Sequence, residues 1–437
     1  MMSKQKLFSL GLQHVLAMYA GAVAVPLIIG GALKLTPAQM AYLIAADLFT
    51  CGLATLLQVI GTRWFGVRLP VMLGCTFTAV GPIIAISLSS NLATAYGSII
   101  VAGLAVFLLA PVFGKVLRFF PTVVTGSVVT IIGLSLIPVA MNNAAGGIGA
   151  PDYGAPRNLL LAAGTLVLIL LMNRLFTGFA RAISVLLALV VGTAAAAIMG
   201  MVNFAAVNEA SWFNIVQPFY FGTPQFSITA ILTMVLVCII SMVESTGVYF
   251  ALSKVVEKDL TEQDIVKGLR AEGLAILLGG IMNAFPYTTF SQNVGLVSLT
   301  RVKTRNVIVV AGAILIVLGM LPKLAALATV IPSAVLGGAM VAMFGMVVSY
   351  GINILSNVDF KQNENLLIVA CSVAVGLGSS AVPQMFDQLP DLAKMFTQSG
   401  IVTGSVTAVV LNLFLNAKRA SKKNTVAVGA STTVATR

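Results

Sequence analysis

Apolar segments long enough to cross a bilayer follow one another along almost the whole chain. Hydrophobic residues make up 59% of the 437 residues and charged residues only 9%. A soluble protein cannot bury that much apolar surface, so the sequence predicts an all-α polytopic membrane protein with room for about 14 spans. The predicted segments lie near 8–31, 38–62, 70–88, 97–113, 121–141, 158–174, 182–200, 227–250, 271–284, 287–300, 306–322, 331–350, 366–382 and 399–416.

Basic residues are distributed unevenly over the connections between these segments. The formal charge is +12, which taken alone would also suit a nucleic-acid-binding protein. If the N-terminus is cytoplasmic, all but four of the 25 Lys and Arg residues fall on the cytoplasmic side. The four outside are Lys34, Arg157, Lys323 and Lys394. This asymmetry follows the positive-inside rule, so we expect a multi-pass protein of the cell membrane with both termini in the cytoplasm and no nucleic-acid partner.

Helix-breaking residues recur in the two halves of the chain. Leu69-Pro70 and Phe285-Pro286 each open an interrupted segment, and the stretch 121–127 parallels the stretch 332–338. Seven spans separate the partners, and because seven is odd the second copy would be inverted in the membrane. Pro and Gly are also common in unrelated membrane helices. Inverted repeats built around broken helices are typical of secondary transporters, whose sites lie at the midplane between the breaks.

The two breaks have the composition of short extended strands. The stretch 286–290 begins with a helix breaker and continues with β-branched and aromatic residues, and 70–74 is a weaker version of it. Extended backbone at membrane depth must be buried in protein or face a cavity. We therefore expect two short strands that break segments 3 and 10, each followed by the N-terminus of a half-helix.

Three polar residues inside the predicted spans are candidates for binding. Glu244 lies deep in the eighth span, where an ionised carboxylate is costly unless it is protonated, paired or bound to a ligand. Gln292 and Asn293 follow the second break, and their amides offer the donors and acceptors that a heterocyclic base needs. The alternatives are hydrogen bonds between helices and, for Asn293, capping of the half-helix.

Other polar or aromatic residues in the spans allow two interpretations each. Glu272 is either a solvated carboxylate at the start of the ninth span or a gating or coupling group. His14 beside Gln13 is more often a structural hydrogen-bonding residue than a ligand. Phe77 follows the first break, where it either stacks on a planar ligand or belongs to the core.

Several function classes find no support in the sequence. There is no G-x-x-x-x-G-K-(S/T) motif for ATP-driven pumping. The chain has one histidine and no cysteine cluster, so we expect no metal site, no cofactor and no catalytic Ser-His-Asp triad. The chain is therefore not expected to be an enzyme.

Four features together resemble the nucleobase–ascorbate transporter (nucleobase:cation symporter-2) family, and within it the bacterial xanthine and uric acid permeases. They are the stretch Gln292-Asn293-Val294-Gly295 continuing to Thr300-Arg301, the Gln13-His14 pair, Glu244 in Glu-Ser-Thr-Gly, and Gly74-Cys75-Thr76-Phe77. The resemblance covers nearly the whole chain. It implies fourteen spans in a 7+7 inverted repeat, proton-coupled uptake and often a homodimer.

The resemblance also implies a division into a core domain and a gate domain. The core domain would comprise 1–120 and 227–322, and the gate domain 121–226 and 323–417. The remaining residues, 418–437, are rich in Lys, Ser, Thr and Ala and are expected to form a disordered cytoplasmic tail.

Carried over residue by residue, the resemblance assigns the candidate site. The residues expected to contact the substrate are Glu244, Gln292, Phe77, Asn293 and Thr78. The residues expected to couple the proton or support the site are Glu244, Glu272, His14 and Gln13. In this family, Gln at the position of Gln292 goes with purines such as xanthine or uric acid, and Glu goes with uracil. The chain departs from many relatives at Val248, where they have Asp.

The sequence therefore predicts a proton-driven importer of an oxidised purine, xanthine or uric acid. One alternative is a uracil permease on the same scaffold. Another is an anion transporter of related fold. Such a transporter requires a positive charge at the midplane, and no Lys or Arg lies near Glu244 in sequence. The choice among xanthine, uric acid and guanine, and between protons and sodium, stays open at this point.

Overall fold

The fold is known from a computed structural model that describes residues 3–117, 119–397 and 399–432. Side chains are not described at positions 116, 117, 206, 391, 392, 395 and 417–432. Of the predicted disordered tail, 418–437, the backbone of 418–432 is described and is helical, and 433–437 lie outside the described residues.

Most of the described backbone is helical. The α-helices are α1 (Lys4–Ala32), α2 (Pro37–Ile60), α3 (Val80–Ser89), α4 (Leu92–Leu109), α5 (Phe113–Leu117), α6 (Thr122–Ala144), α7 (Pro156–Leu175), α8 (Gly178–Ala182), α9 (Ser184–Ile198), α10 (Ala205–Glu209), α11 (Ile228–Val256), α12 (Glu262–Ile281), α13 (Ser291–Thr300), α14 (Asn306–Gly319), α15 (Pro322–Thr329), α16 (Ser333–Leu355), α17 (Asn363–Ala381), α18 (Asp391–Thr397) and α19 (Gly400–Thr432). The strands are β1 (Leu73–Cys75) and β2 (Tyr287–Thr289), and 3-10 turns lie at Phe77–Ala79, Ala110–Val112 and Pro383–Phe386.

Many of these helices are long and apolar enough to cross a membrane. Within the described residues there are eight such helices, or nine if α14 and α15, which are bent by 81° at their junction, form one span. Three shorter apolar helices lie at Phe77–Ser89, Ser184–Ile198 and Gly400–Asn416. Each predicted apolar segment overlaps a helix, while the number of complete spans stays a prediction.

Contacts divide the chain into two compact units. The first comprises Met1–Phe113 and Leu136–Gly345, and the second comprises Gly114–Ser135 and Met346–Arg437. In the second unit, α17 and α19 contact each other, and a Cβ on Gly376 would lie 2.9 Å from the backbone oxygen of Gly400. Both candidate strands belong to the first unit.

Two helix pairs of the first unit cross at facing glycines. A Cβ on Gly273 of α12 would lie 2.8 Å from the backbone oxygen of Gly103 in α4. A Cβ on Gly52 of α2 would lie 2.6 Å from the backbone oxygen of Gly312 in α14. Small residues let helix backbones approach this closely in membranes, so larger side chains do not fit at either crossing.

We expect Gly103→Ala to destabilise the protein. The new methyl group would meet the backbone of α12 at Gly273 and Leu277, and overpacking of this kind costs about 1–3 kcal/mol. The matched control is Gly164→Ala in α7, where an added Cβ meets no atom within 4 Å. The measurement is the thermal unfolding temperature of the purified protein in detergent. Equal unfolding temperatures for the two variants would show that the crossing tolerates a side chain.

The strands β1 and β2 form an antiparallel pair buried in the first unit. The register pairs Leu73 with Thr289, Gly74 with Thr288, and Cys75 with Tyr287. Two further backbone bonds of 2.9 Å extend the pair, from Thr76 N to Pro286 O and from Phe290 N to Met72 O. These bonds satisfy backbone groups that would otherwise be unpaired away from water.

The helix contacts of the first unit recur in a symmetrical way. Helix α1 contacts α2, α13 and α14, and helix α11 contacts α12, α3 and α4. Exchanging α1 with α11, α2 with α12, α3 with α13, and α4 with α14 converts the first set into the second. The two glycine crossings, α2 with α14 and α4 with α12, exchange in the same way. The strand pair lies where the two sets meet, because β1 precedes α3 and β2 precedes α13.

Candidate functional site

Polar side chains on one face of α2 hold both strands. The Tyr287 hydroxyl in β2 lies 3.0 Å from Asp47 Oδ1 and 3.1 Å from the Asp47 backbone oxygen. The Cys51 thiol donates to Leu73 O in β1 at 2.7 Å, and Leu73 N donates to Thr55 Oγ1 at 3.1 Å. Residues four apart share a helix face, so α2 fixes the position of the strand pair.

Phe290 fixes the point at which α13 begins. Its buried ring lies against two glycines, since a Cβ on Gly74 would come within 2.5 Å of the ring and one on Gly21 within 2.6 Å. A side chain at either glycine would displace the ring. The N-terminus of α13 therefore lies at a defined place beside β1 and α1.

Asn293 joins α13 to α1 through His14. The Asn293 amide nitrogen lies 2.9 Å from His14 Nδ1 and donates to His14 O at 3.3 Å, and both side chains are buried. A backbone oxygen only accepts, so the amide nitrogen faces His14 and the imidazole accepts at Nδ1. The capping alternative for Asn293 is wrong, because the N-cap of α13 is Phe290 and no side chain caps the helix.

Glu244 and Gln292 lie on two helices that contact each other. Glu244 is half-buried in the middle of α11 and, among the described residues, has no hydrogen-bond or ion-pair partner. Gln292 is exposed at the start of α13, and its Oε1 accepts from Ser291 Oγ at 3.4 Å. Helices α11 and α13 are in contact. Both polar side chains are therefore available to a ligand.

Open space lies beside both of these polar residues. Gly247 follows Glu244 by three positions, and Gly295 follows Gln292 by three, so each glycine shares a helix face with its polar residue. A Cβ added to either glycine would meet no atom within 4 Å. The two helices thus present a polar group next to unfilled volume.

Phe77 lies in the 3-10 turn after β1, and this turn contacts α11. Its half-buried ring packs edge-to-face on Phe344, with ring centroids 5.4 Å apart and planes at 85°. Thr78 is buried, and its N–H donates to Thr76 Oγ1 at 3.2 Å within the turn. Gln13 is half-buried on α1. The assignments of Phe77, Thr78 and Gln13 to the site stay predictions.

Glu272 is completely buried, so the interpretation as a solvated helix-end carboxylate is wrong. Helix α12 begins at Glu262, well before the predicted apolar segment, because Thr261 and Asp264 form a capping box there. Position 272 therefore falls in the helix interior. Arg270 does not offset its charge by a direct ion pair in the described structure; the guanidinium lies 5.7 Å from the ring centroid of Phe107.

Sequence reasoning assigned no role to several buried polar residues around the strands. These residues are Asp47, Gln58, Ser245, Tyr249 and Tyr287. The polar positions of α2 carried a usable signal, since they recur at helical spacing in an otherwise apolar segment. The partners of the others lie far away in the chain, so no local pattern identifies them.

A separate cavity of about 610 Å³ lies elsewhere in the first unit. It is lined by the start of α2, the connection 203–220 and the α14–α15 junction. Its lining includes none of the predicted site residues. Among the described residues, no group of three or more His, Cys, Asp or Glu side chains is arranged to hold a metal ion.

Apolar helices of membrane-spanning length packed around two buried strands are the architecture of a polytopic membrane protein. The fold is similar to the transmembrane domain of a cyanobacterial bicarbonate transporter, with a TM-score of 0.62 and 15% identity over 93% of this chain and 97% of that chain. A family model described as a permease family matches residues 5–385. The chain belongs to this family, the nucleobase–ascorbate transporters, as its motifs predicted, and it is not an enzyme.

Two relatives from Bacillus subtilis (strain 168) show how similar this chain is to other members. A xanthine permease is 58% identical over 418 residues, which cover 96% of this chain and 95% of the relative. A uric acid permease is 57% identical over 414 residues, which cover 95% of this chain and 96% of the relative.

Proposed function

We propose that this protein imports xanthine, with uric acid as a second substrate, by proton symport and alternating access. The observation that carries the proposal is the pair Glu244 and Gln292, two available polar groups beside open space on helices in contact. The relatives named for xanthine and uric acid support an oxidised purine as the substrate class.

Each group in the proposed site has a chemical role. The Glu244 carboxylate accepts N–H groups of the base, and the Gln292 amide donates to a carbonyl and accepts from a ring N–H. Phe77 stacks on the planar ring, and Thr78 lies at the base of the same turn. The hydrogen bond between His14 and Asn293 holds the start of α13 in place, with Gln13 next to it.

The proposed coupling step uses the carboxyl groups of Glu244 and Glu272. Glu244 lies on α11 and Glu272 on α12, and these two helices contact each other. Binding a proton at this pair, together with the base, removes charge from the site before the loaded site moves past the gate domain. The proton and the base therefore cross the membrane together.

The proposed architecture has fourteen spans in a 7+7 inverted repeat. The symmetrical contacts of the first unit support the repeat, because the contacts of α1 with α2, α13 and α14 have counterparts in the contacts of α11 with α12, α3 and α4. In this proposal the core domain comprises 1–120 and 227–322, and the gate domain comprises 121–226 and 323–417. The protein lies in the cell membrane as a homodimer with both termini in the cytoplasm, in line with the placement of its basic residues.

Uptake of radiolabelled xanthine by cells expressing the chain tests this function. The competitors are unlabelled uric acid, guanine, hypoxanthine and uracil, and each assay is run with and without a protonophore. We expect accumulation that the protonophore abolishes and that oxidised purines compete for. Uracil uptake without xanthine uptake would favour the uracil permease, and uncoupled anion current without uptake of any base would favour the anion transporter.

A further inference from the structure

A buried chain of polar groups runs from the end of α2 to Glu272. The Gln58 amide nitrogen donates to the Tyr249 hydroxyl and, at 3.0 Å, to Gly268 O. The Tyr249 hydroxyl lies 3.4 Å from Glu272 Oε2. All three side chains are completely buried, so each polar group depends on the others for its hydrogen bonds.

The orientation of the Gln58 amide is fixed by the backbone. Val67 N–H donates to Gln58 Oε1 at 3.0 Å, and Gly268 O accepts from Nε2. A rotated amide would place a donor against the Val67 N–H and an acceptor against a carbonyl oxygen. The group that faces the Tyr249 hydroxyl is therefore the NH₂ group, which only donates.

This orientation determines the direction of the next hydrogen bond. The Tyr249 oxygen accepts from Gln58, so the single hydroxyl proton of Tyr249 is left to donate to Glu272 Oε2. The other oxygen, Oε1, makes no hydrogen bond to the residues described in the structure, and the Ser245 side chain is a further polar neighbour. We infer that Gln58 and Tyr249 are positioning residues, which present one hydroxyl proton to Glu272 and hold its carboxyl group in place.

Helix α11, which carries Tyr249, also contacts strand β2. Ser245 Oγ lies 2.9 Å from Thr288 Oγ1, and Thr289 N–H donates to Ser245 Oγ at 3.2 Å. Both threonines belong to β2, which leads into Phe290 and Gln292. Ser245 and Tyr249 lie four residues apart on one face of α11, so a change at Glu272 reaches β2 through this face of the helix. This consequence for coupling rests on the proposed proton symport, whereas the contact between Tyr249 and Glu272 does not.

Infrared difference spectra of the purified protein between acid and alkaline pH test the contact directly. The carboxyl band that Glu272→Gln removes is assigned to Glu272. We expect this band to move to higher wavenumber in Tyr249→Phe, because the carboxyl group loses a hydrogen bond. The control is Tyr96→Phe, which removes an equally buried hydroxyl that donates to Asn283 O at 3.1 Å. A Glu272 band that stays in place in Tyr249→Phe would overturn the inference.

Transport assays in proteoliposomes test the consequence for coupling. We expect Tyr249→Phe to lower proton-driven accumulation of xanthine about tenfold, the effect of one hydrogen bond to a charged group. Exchange of internal for external xanthine without a proton gradient should change less than about twofold, because the base site is intact. Equal losses in both assays would indicate a merely structural role and overturn the inference.

The two experiments separate failure of the inference from failure of the proposed function. If the wild-type protein exchanges xanthine but does not accumulate it on a proton gradient, the proton symport is wrong. The infrared shift in Tyr249→Phe would still establish the positioning role. The variant keeps Gln58 bonded to Val67 and Gly268, so we expect it to fold, and its yield is compared with that of Tyr96→Phe.

Discussion

Replacing Glu244 with glutamine is expected to abolish concentrative uptake of xanthine. The amide has nearly the shape of the carboxyl group, but it cannot bind the proton, and its NH₂ group would face the N–H groups of the base. A site that leaves such buried groups unpaired discriminates by several orders of magnitude, so we expect the initial rate to fall about 100-fold or more. The measurement is the initial rate of radiolabelled uptake, normalised to the amount of protein in the membrane.

The matched control for this variant is Glu262→Gln. Glu262 is an exposed carboxylate at the start of α12, so the same chemical change there should leave uptake close to that of the wild type. Retention of proton-driven accumulation in Glu244→Gln would remove this carboxyl group from the coupling mechanism. Loss of accumulation with retained exchange would assign Glu244 to the proton rather than to the base.

The exchange Gln292→Glu is expected to change the substrate. Gln292 is proposed to donate to a purine carbonyl, and a carboxylate at that place would repel the carbonyl while accepting from ring N–H groups. We expect xanthine uptake to fall about 100-fold and uracil to become the better competitor. The measurement is competition by both bases at a fixed concentration of a labelled substrate.

The control for this second exchange is Gln39→Glu. Gln39 closes the capping box of α2, a role in which Glu serves equally well, so substrate choice should not change. If Gln292→Glu transports xanthine at the wild-type rate, the Gln292 amide does not form the specificity-determining hydrogen bonds with the purine. In that case the strand backbone near Phe290 becomes the next candidate for the contact.

Local conformational preferences of the residues located the broken segments in the sequence. Pro286 followed by β-branched and aromatic residues disfavours helix, and strand β2 lies directly after it. Glu244 and Gln292 were identified as candidates because a polar side chain inside an apolar segment costs free energy unless it is paired or binds a ligand. The family motifs predicted a membership that the family model and the relatives confirm.

Local sequence patterns could not predict which residues the buried polar side chains contact. His14 contacts Asn293, and Asp47 contacts Tyr287, across most of the chain length. Such pairs follow from the way the two halves meet, and a single sequence contains no signal for them. The start of the ninth helix was misplaced for a different reason. A hydropathy pattern does not detect the polar first turns of α12, so Glu272 was placed at the helix end although it lies in the interior.

The antiparallel pairing of β1 with β2 has a consequence for biosynthesis. The ribosome completes β1 long before it begins β2, so the newly inserted first half holds a strand whose backbone groups have no partner. Such groups are costly in hydrocarbon, and pairing over so large a sequence separation is slow to form. We therefore expect β1 to be shielded in the membrane by helix α2 or by the insertion machinery until β2 is made. The proposed transport site becomes complete only after the tenth predicted segment, 287–300, has been delivered.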